Sequence, residues 1–156
     1  MWLALSKWNE SPLLDMETLK LKYSLKDGDF SNAGNASSNI KKNLKMLGID
    51  AAIIKKMVVS IYEAEVNMIA HANGGEIEVF IDEEKIMAIL ADVGPGIPDI
   101  DQAMKKGYST ASEEVRQMGF GAGMGLPNIK KNSDEFNIES ILGQGTTLTI
   151  ISYYNN

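Results

Sequence analysis

Residues 60–72 read SIYEAEVNMIAHA, and this stretch decides how the chain folds. It is the second half of a segment, residues 51–72, whose apolar residues recur at helical spacing. At 100° per residue the apolar positions share one broad arc, whereas Glu63, Asn67 and His71 lie on the opposite side. The arc comprises Ile54, Met57, Val58, Ile61, Met68, Ile69 and Ala72. The segment therefore predicts an amphipathic helix that aligns three polar side chains on one face.

Glu65 interrupts this pattern, because it lies within the apolar arc, and no feature of the sequence accounts for it. Upstream of the helix, Asp50 is placed to cap it, and the alternating residues 19–25 predict a strand. A first helix is expected from a cap at Ser31 or Asn32 through about Leu47, where Gly48 follows.

Downstream, the pattern changes from helical to alternating after Asn73-Gly74-Gly75. Alternating and continuous apolar runs predict a hairpin whose second strand ends at Asp92. A short helix (residues 100–106), a mobile loop (107–123), a helix (126–134) and a closing hairpin (136–140 with 147–151) follow.

Composition restricts the classes of protein that fit. A chain of 156 residues with 44% hydrophobic content predicts one domain, residues 16–156, after an N-terminal extension, residues 1–15. The net charge of −6 argues against binding to nucleic acid or to an anionic membrane. No cysteine, no bilayer-length apolar run and no convincing signal peptide are present, which favours a cytoplasmic protein. Trp2 and Trp8 favour packing or partner contact for the extension over disorder.

The polar row of the long helix contains groups suited to phosphate chemistry. Asn67 offers a neutral carbonyl oxygen, which suits Mg²⁺ that takes its other ligands from phosphates and water. Glu63, one turn earlier, could deprotonate an attacking hydroxyl or bind the metal through water. The alternative is that Glu63, Asn67 and His71 are the solvated side of an ordinary amphipathic helix. His71 is the only histidine, and a lone imidazole is more often structural than catalytic.

Asp92 ends an apolar strand and precedes Gly94 and Gly96, so its carboxylate is held at the sheet end where the backbone can approach a flat ligand. A carboxylate that accepts from an exocyclic amine selects adenine over guanine. The alternative is an ordinary Asp-x-Gly turn. Gly145 and Thr146 begin the last strand, where a hydroxyl can support the Asp92 carboxylate or the base.

Four glycines at alternate positions, residues 119–125, favour a loop whose backbone N–H groups surround phosphate oxygens, next to the helix that begins near Leu126. A Walker A motif is absent, and the glycines come too late in the chain for a dinucleotide-binding fingerprint. Arg116 is the nearest cation that could reach a γ-phosphate, and a solvated loop arginine is the equal alternative.

In this order and spacing, Glu63-x3-Asn67-x3-His71, Asp92-x-Gly94-x-Gly96, the glycine loop and Gly145-Thr146 resemble the four motifs of the GHKL (Bergerat-fold) ATP-binding superfamily, which includes DNA gyrase, histidine kinases and MutL. Residues 92–99, 107–110, 125–127 and 134–136 are most similar to the stand-alone anti-sigma-factor-type serine/threonine kinases of bacterial partner switching.

The resemblance implies a two-layer α/β sandwich with helices on one face of a mixed, mainly antiparallel sheet. It also implies Asn67 on Mg²⁺, Glu63 as the base for a protein hydroxyl, Asp92 on the adenine amine of ATP, and a lid over the phosphates at about residues 107–125. The expected nucleotide site comprises Glu63, Asn67, His71, Asp92, Gly94, Gly96, Ile97, Thr110, Arg116, Gly119, Gly121, Gly123, Met124, Gly125, Leu126 and Thr146.

Three functions follow from this resemblance. The favoured one is a kinase that phosphorylates a small STAS-type antagonist, with a sigma factor or another regulator as a further partner and with homodimerisation compatible with the family. The second is a nucleotide-gated binding module that transfers no phosphate. The third is the ATPase module of a larger machine.

Overall fold

The computed structural model describes residues 18–105 and 125–155, and these contain five strands in one sheet. In chain order the strands are β1 (Leu19–Leu25), β2 (Gly75–Ile81), β3 (Lys85–Asp92), β4 (Glu135–Ile141) and β5 (Gly145–Tyr153). Their spatial order is β1-β2-β3-β5-β4, and all four pairings are antiparallel. The predicted strands and both hairpins are therefore confirmed.

Within residues 18–105 and 125–155, four α-helices accompany the sheet: α1 (Asn35–Met46), α2 (Ala51–His71), α3 (Ile100–Ala103) and α4 (Gly125–Lys131). The buried side chains of α1, α2 and α4 form one core with alternate residues of the strands. On the strands these are Ile77, Val79, Ile81, Ile86, Ala88, Leu90, Leu148 and Ile150. The expected α/β fold, with helices on one face of the sheet, is confirmed. The sheet was expected to be mixed and mainly antiparallel, and all four pairings of the described strands are antiparallel.

The long helix α2 runs as the apolar periodicity predicts. Asp50 caps it by accepting a hydrogen bond from Ala52 N–H at 2.8 Å. Met57 and Ile61 have no solvent exposure, because the apolar arc lies on the sheet. Burial of such side chains contributes about 1.5–3 kcal/mol each to folding, so α2 is held in place by its packing.

The expected cap of the first helix is wrong. Instead of capping, Ser31 and Asn32 donate side-chain hydrogen bonds to Asp29, and residues Phe30–Asn32 form a short 3₁₀ turn. Helix α1 begins at Asn35, with Gly34 at the N-cap in a left-handed conformation at φ 94°. Gly34 has no side chain that could cap the helix, so the cap comes from a residue far away in the sequence.

Two other predicted helices are shorter than expected. Helix α4 ends at Lys131, because Asp134 N–H already donates to Ile151 O of β5 at 3.0 Å. Helix α3 ends at Ala103. The turn that follows is closed by a hydrogen bond from Lys105 N–H to Gln102 O at 3.1 Å. The predicted boundary between an extension and a domain at residue 16 falls outside the described residues and stays a prediction. None of the helices in residues 18–105 and 125–155 has the length and apolarity to cross a membrane.

Candidate functional site

The polar row of α2 is half-buried rather than solvated. Glu63, Asn67 and His71 are each intermediate in exposure, although they lie opposite the core-facing arc. Because a helix rises about 1.5 Å per residue, the row is about 12 Å long from Glu63 to His71. The row is therefore only partly exposed to solvent, which the interpretation as an ordinary solvated helix face did not expect.

At one end of the row, Glu63 is bonded to α4. The Asn128 side chain donates a hydrogen bond to the Glu63 carboxylate. Burial raises the pKa of Glu63 above its ordinary value, and the Asn128 bond opposes part of that rise. Helix α4 is tied to the same stretch of α2 by Ser60, whose hydroxyl donates to Ile129 O at 3.5 Å. A carboxylate in this setting is suited to accept a proton.

In the middle of the row, Asn67 lies directly against the start of α4. A Cβ added to Gly125 would come 2.9 Å from Asn67 Nδ2 and 3.2 Å from its Oδ1. Only glycine lets the backbone approach the amide this closely. Gly125, the last glycine of the predicted phosphate loop, and Asn67 thus lie next to each other.

At the other end of the row, the last turn of α2 meets Asp92. Asn73 N–H donates to Val93 O at 3.0 Å, and Val93 N–H donates to Gly74 O at 3.1 Å. A Cβ on Gly94 would lie 3.0 Å from the Ala72 Cβ and 3.2 Å from Asp92 Oδ1. Gly94 therefore allows the strand end and the helix end to touch.

His71 is the last residue of α2. Burial lowers the pKa of His71, which favours the neutral imidazole.

Asp92 is held in a fixed orientation by β5. Its Oδ1 accepts a hydrogen bond from Thr146 N–H at 2.9 Å. Within the described residues, Thr146 N–H is the one hydrogen-bond donor to this side chain, and a carboxylate has acceptor capacity for further donors. Burial raises the pKa of Asp92, and the Thr146 N–H opposes the rise. The carboxylate can therefore accept one more hydrogen bond at a defined position.

The Thr146 hydroxyl does not bond Asp92. It shares a hydrogen bond of 2.8 Å with the Ser140 hydroxyl, and Ser140 Oγ also accepts from Ile97 N–H at 2.7 Å. This chain of bonds connects β4, β5 and the loop after Asp92. The loop is held again at Gly96, where φ is +79° and a Cβ would collide with Ile141 O. The loop that carries Gly94 and Gly96 is consequently held by a hydrogen bond to Ser140 and by close packing against Ile141.

The structure places nine predicted site residues near the row or the Asp92 loop: Glu63, Asn67, His71, Asp92, Gly94, Gly96, Ile97, Gly125 and Thr146. Leu126 packs partly buried against the core at the start of α4. Thr110, Arg116, Gly119, Gly121, Gly123 and Met124, with the rest of the predicted lid, lie outside the described residues. Their assignment stays a prediction.

Two contributors were missed by sequence reasoning. Asn128 gave no signal, since a polar residue on a short helix is common. Ser140 gave a weak one, because it shares the inward-facing parity of Phe136 and Ile138 on β4, where a hydroxyl needs a partner.

The donor groups fit Mg²⁺ bound mainly by phosphate. Within residues 18–105 and 125–155, no three Asp, Glu, His or Cys side chains cluster closely enough to hold a metal ion. Asn67 instead offers one neutral oxygen, which suits Mg²⁺ because this ion keeps several waters and binds substrate phosphates.

Comparison with known proteins assigns the class. Residues 29–152 match the histidine kinase-like ATPase domain family, so the chain belongs to that family. Those residues include every part of the row, the Asp92 loop and Thr146. The predicted GHKL relationship is thus confirmed.

Within that family, the chain is similar to kinases and anti-sigma factors. It is 33% identical over 129 residues to the serine/threonine-protein kinase RsbT of Bacillus subtilis (strain 168), covering 80% of this chain and 89% of RsbT. It is 34% identical over 99 residues to the anti-sigma F factor of Caldanaerobacter subterraneus subsp. tengcongensis, covering 60% of this chain and 66% of that protein. The chain therefore belongs with the anti-sigma-factor-type members of the family.

Two solved structures share the fold. The SiaB–SiaC complex of Pseudomonas aeruginosa contains a chain that matches with a TM-score of 0.60 at 13% identity, covering 97% of this chain and 98% of that one. The RsbU and RsbW domains of a Mycobacterium tuberculosis protein match with a TM-score of 0.58 at 18% identity, covering 85% of this chain and 32% of that one.

Proposed function

We propose that this protein is an ATP- and Mg²⁺-dependent serine/threonine protein kinase of a bacterial regulatory switch, and that it phosphorylates a small STAS-type protein antagonist. The observation that carries the proposal is the half-buried row on α2, which begins at Glu63 and ends beside Asp92. The row is about 12 Å long, and different chemistry is available at its two ends.

The Asp92 end fits the adenine base. Thr146 N–H occupies Asp92 Oδ1, and Oδ2 can accept the exocyclic amine. The flat base then lies along the loop of Gly94 and Gly96, whose glycines pack closely against Ala72 and Ile141. Guanine presents a carbonyl where adenine presents this amine, so two acceptors would face each other. The site therefore favours ATP over GTP.

The Asn67 end fits the phosphates. Asn67 would hold Mg²⁺ through its amide oxygen, and the ion supplies neutralisation of phosphate charge when it is bound. The tight approach of Gly125 fixes where the amide points. Because protein kinases rely mainly on positioning, a fixed amide is directly useful for the reaction.

Glu63 is the proposed general base. Its carboxylate would accept the proton of a serine or threonine hydroxyl of the partner, as the hydroxyl oxygen forms a bond to the γ-phosphorus and the bond from that phosphorus to the oxygen of ADP breaks. A pKa raised by burial makes Glu63 a better proton acceptor than an exposed glutamate. Asn128 holds the carboxylate in place.

The partner class rests on the relatives. The name of the anti-sigma F factor states an interaction with a sigma factor, and the structure of SiaB was solved in complex with SiaC. By analogy, the substrate hydroxyl belongs to a small folded antagonist, and a sigma factor or another regulator is a second partner. The acidic charge of −6 agrees with protein rather than nucleic-acid partners.

The test uses γ-radiolabelled ATP, Mg²⁺ and STAS-domain proteins encoded near the gene. The kinase should label one of them, and replacement of the acceptor serine or threonine by alanine should abolish labelling. Glu63→Gln should reduce the transfer rate by roughly 10²–10⁴-fold while ATP affinity by calorimetry is retained.

Two results would contradict the proposal. If tight ATP binding occurs with no labelling of any partner, the protein is a nucleotide-gated binding module. If Glu63→Gln transfers phosphate at the unchanged rate, Glu63 is not the base. A partner effect that survives Glu63→Ala would favour the binding module in the same way.

A further inference from the structure

Charge is distributed unevenly along this chain. Residues 35–62, which cover α1 and the first part of α2, contain five lysines and one acidic residue, whereas the whole chain has a net charge of −6. The acidic residue, Asp50, already accepts the hydrogen bond that caps α2. All five lysines are exposed, and they are Lys41, Lys42, Lys45, Lys55 and Lys56. A basic surface therefore lies on two helices of an acidic protein.

Ion pairing does not account for these lysines. None of the five forms an ion pair with a described residue, whereas Lys20 and Lys22 pair with glutamates of β2. Lys41 and Lys45 are four residues apart on α1, a spacing at which like charges repel each other. Solvated surfaces usually carry charges of both signs in alternation. The concentration of positive charge on α1 and α2 is therefore not explained by the stability of the fold.

Exposed apolar side chains lie on the same two helices. Among the described residues, eight large apolar or aromatic side chains are exposed, and four of them lie within residues 35–62: Met46, Leu47, Val59 and Tyr62. Met46 is 79% exposed and Leu47 is 50% exposed, at the end of α1. Tyr62 lies beside the start of α1, because a Cβ on Gly34 would come 3.3 Å from the Tyr62 ring. We call these four residues and the five lysines the α1–α2 surface.

The α1–α2 surface borders the phosphate end of the proposed nucleotide site. Lys56 and Glu63 are seven residues apart on α2, so they point within about 20° of each other and lie about 10 Å apart along the helix axis. Val59 lies between them. A folded domain of about 100 residues has a radius of gyration of about 13 Å. A partner of that size, docked on this surface, therefore extends as far as Glu63.

The chemistry of the surface selects its occupant. Lysines without a carboxylate partner among the described residues attract acidic groups, and apolar side chains favour a partner that removes them from water. An anionic membrane fits less well, because the protein as a whole is acidic and because Val59 and Tyr62 lie along α2 rather than at the tip of the helix pair. A protein with an acidic surface that includes apolar side chains fits both properties.

We propose that the α1–α2 surface is the docking site for the protein substrate, which binds it through an acidic surface with an apolar centre. The inference rests on the proposed function in one respect, namely that the docked partner is the protein that receives the phosphate. The surface supplies affinity and orientation, whereas the row on α2 supplies the chemistry. None of its nine residues belongs to the proposed nucleotide site.

The test compares two charge-reversal variants of equal net charge. Lys45→Glu with Lys55→Glu changes the α1–α2 surface, and Lys22→Glu with Lys26→Glu changes exposed positions on and after β1. The probe is each STAS-domain protein encoded near the gene, and its binding is measured by calorimetry with Mg²⁺ and a non-hydrolysable ATP analogue. The first variant should bind the probe at least tenfold more weakly and with a smaller dependence on salt. The second should bind it as the unmodified protein does.

Kinetics separate docking from chemistry. In Lys45→Glu with Lys55→Glu, KM for the labelled STAS-domain protein should rise at least tenfold, whereas kcat at saturating substrate should be unchanged. The affinity for ATP should be unchanged as well, which excludes a general loss of folding as the cause.

The apolar part of the surface is tested at high salt, where screening removes most of the attraction between charges. Val59→Ser should weaken binding of the probe several-fold under this condition. Leu19→Ser on β1 is the matched control, because Val59 is 36% exposed and Leu19 is 39% exposed. This control should not weaken binding.

The outcomes distinguish this inference from the proposed function. Equal affinity and equal KM in both charge-reversal variants, with phosphate transfer intact, would overturn the docking site and leave the kinase in place. Binding lost only in Lys45→Glu with Lys55→Glu, without transfer by the unmodified protein, would support the docking site and refute the kinase. Failure of every STAS-domain protein to bind would overturn both.

Two further measurements identify other occupants of the surface. They are binding to phosphatidylserine vesicles and dimerisation of the protein alone in sedimentation. Loss of either property in Lys45→Glu with Lys55→Glu, with binding of the probe unchanged, would assign the surface to a membrane or to a second copy and overturn the proposal.

Discussion

The carboxylate of Glu65 accepts a hydrogen bond from Gly34 N–H at 3.0 Å, and so caps a helix to which it does not belong. Its Oε1 also accepts from Ala36 N–H at 3.1 Å, and its Oε2 accepts from Ser37 N–H at 3.4 Å. These are the free N–H groups of the first turn of α1. Glu65 has no solvent exposure, so the acid within the apolar arc of α2 joins α1 to the helix that carries the site.

Removal of this cap should destabilise the whole domain. Glu65→Leu fits the apolar arc but leaves three backbone donors without their acceptor, and each buried unsatisfied donor costs about 1–3 kcal/mol. We expect the free energy of unfolding to fall by roughly 3 kcal/mol or more, and Glu65→Gln, which keeps one acceptor oxygen, to cost less. Urea unfolding followed by circular dichroism measures both. Glu83→Leu in the exposed β2–β3 turn is the control, and equal losses from Glu83→Leu and Glu65→Leu would contradict the assignment.

The Asp92 assignment predicts a specific loss from an amide. In Asp92→Asn only one side-chain oxygen remains, although both Thr146 N–H and the adenine amine require an acceptor. In either orientation of the amide, its NH2 group faces either Thr146 N–H or the adenine amine, which is also a donor. ATP binding should therefore weaken by roughly 1–3 kcal/mol in calorimetry. Asp101→Asn, exposed on α3, should have no effect. Unchanged affinity in Asp92→Asn would refute the adenine contact.

The contact between Gly125 and Asn67 predicts a loss that depends on the metal. Gly125→Ala needs no unusual backbone angle, but its Cβ would displace the Asn67 amide that approaches to 2.9 Å. We expect weaker binding of ATP with Mg²⁺ and little change of ATP binding in excess chelator. Gly28→Ala adds backbone strain at φ +67° in open space, so it should lower stability and leave nucleotide affinity unchanged. Equal losses with and without Mg²⁺ would exclude Asn67 as the metal ligand.

The bond between Asn128 and Glu63 predicts a pH effect. This bond holds the pKa of Glu63 below the value that burial alone would give. Asn128→Leu removes it, so the pKa of Glu63 should rise further. A base must be unprotonated to accept a proton, and the acid limb of the transfer rate should therefore move to higher pH.

Asn137→Leu is the matched control for that experiment, because Asn137 donates to a glutamate on the exposed edge strand at 3.4 Å. Its pH profile should match that of the unmodified protein. Titration of the Glu63 carboxyl by NMR provides a readout that does not require activity. An unshifted Glu63 pKa in Asn128→Leu would show that the bond does not tune the carboxylate.

Much of the fold was determined by local patterns. Alternation specified β1 and β2, the apolar run ending at Asp92 specified β3, and the 100° arc specified α2 with Glu63 and Asn67 on one side. These signals are legible because the side-chain period of a helix or strand depends on neighbours within one or two turns. The motifs also identify the family of the chain without reference to any tertiary contact.

The tertiary structure decided what depends on residues far apart in the chain. Ser31 and Asn32 looked like caps, yet Glu65 caps α1 across 31 residues. Ser140 and Asn128 acquired their roles only when β4 met the Asp92 loop and α4 met α2. A hydrogen bond of this kind has no period in the sequence, because its two partners are brought together by packing of the core and not by the local backbone.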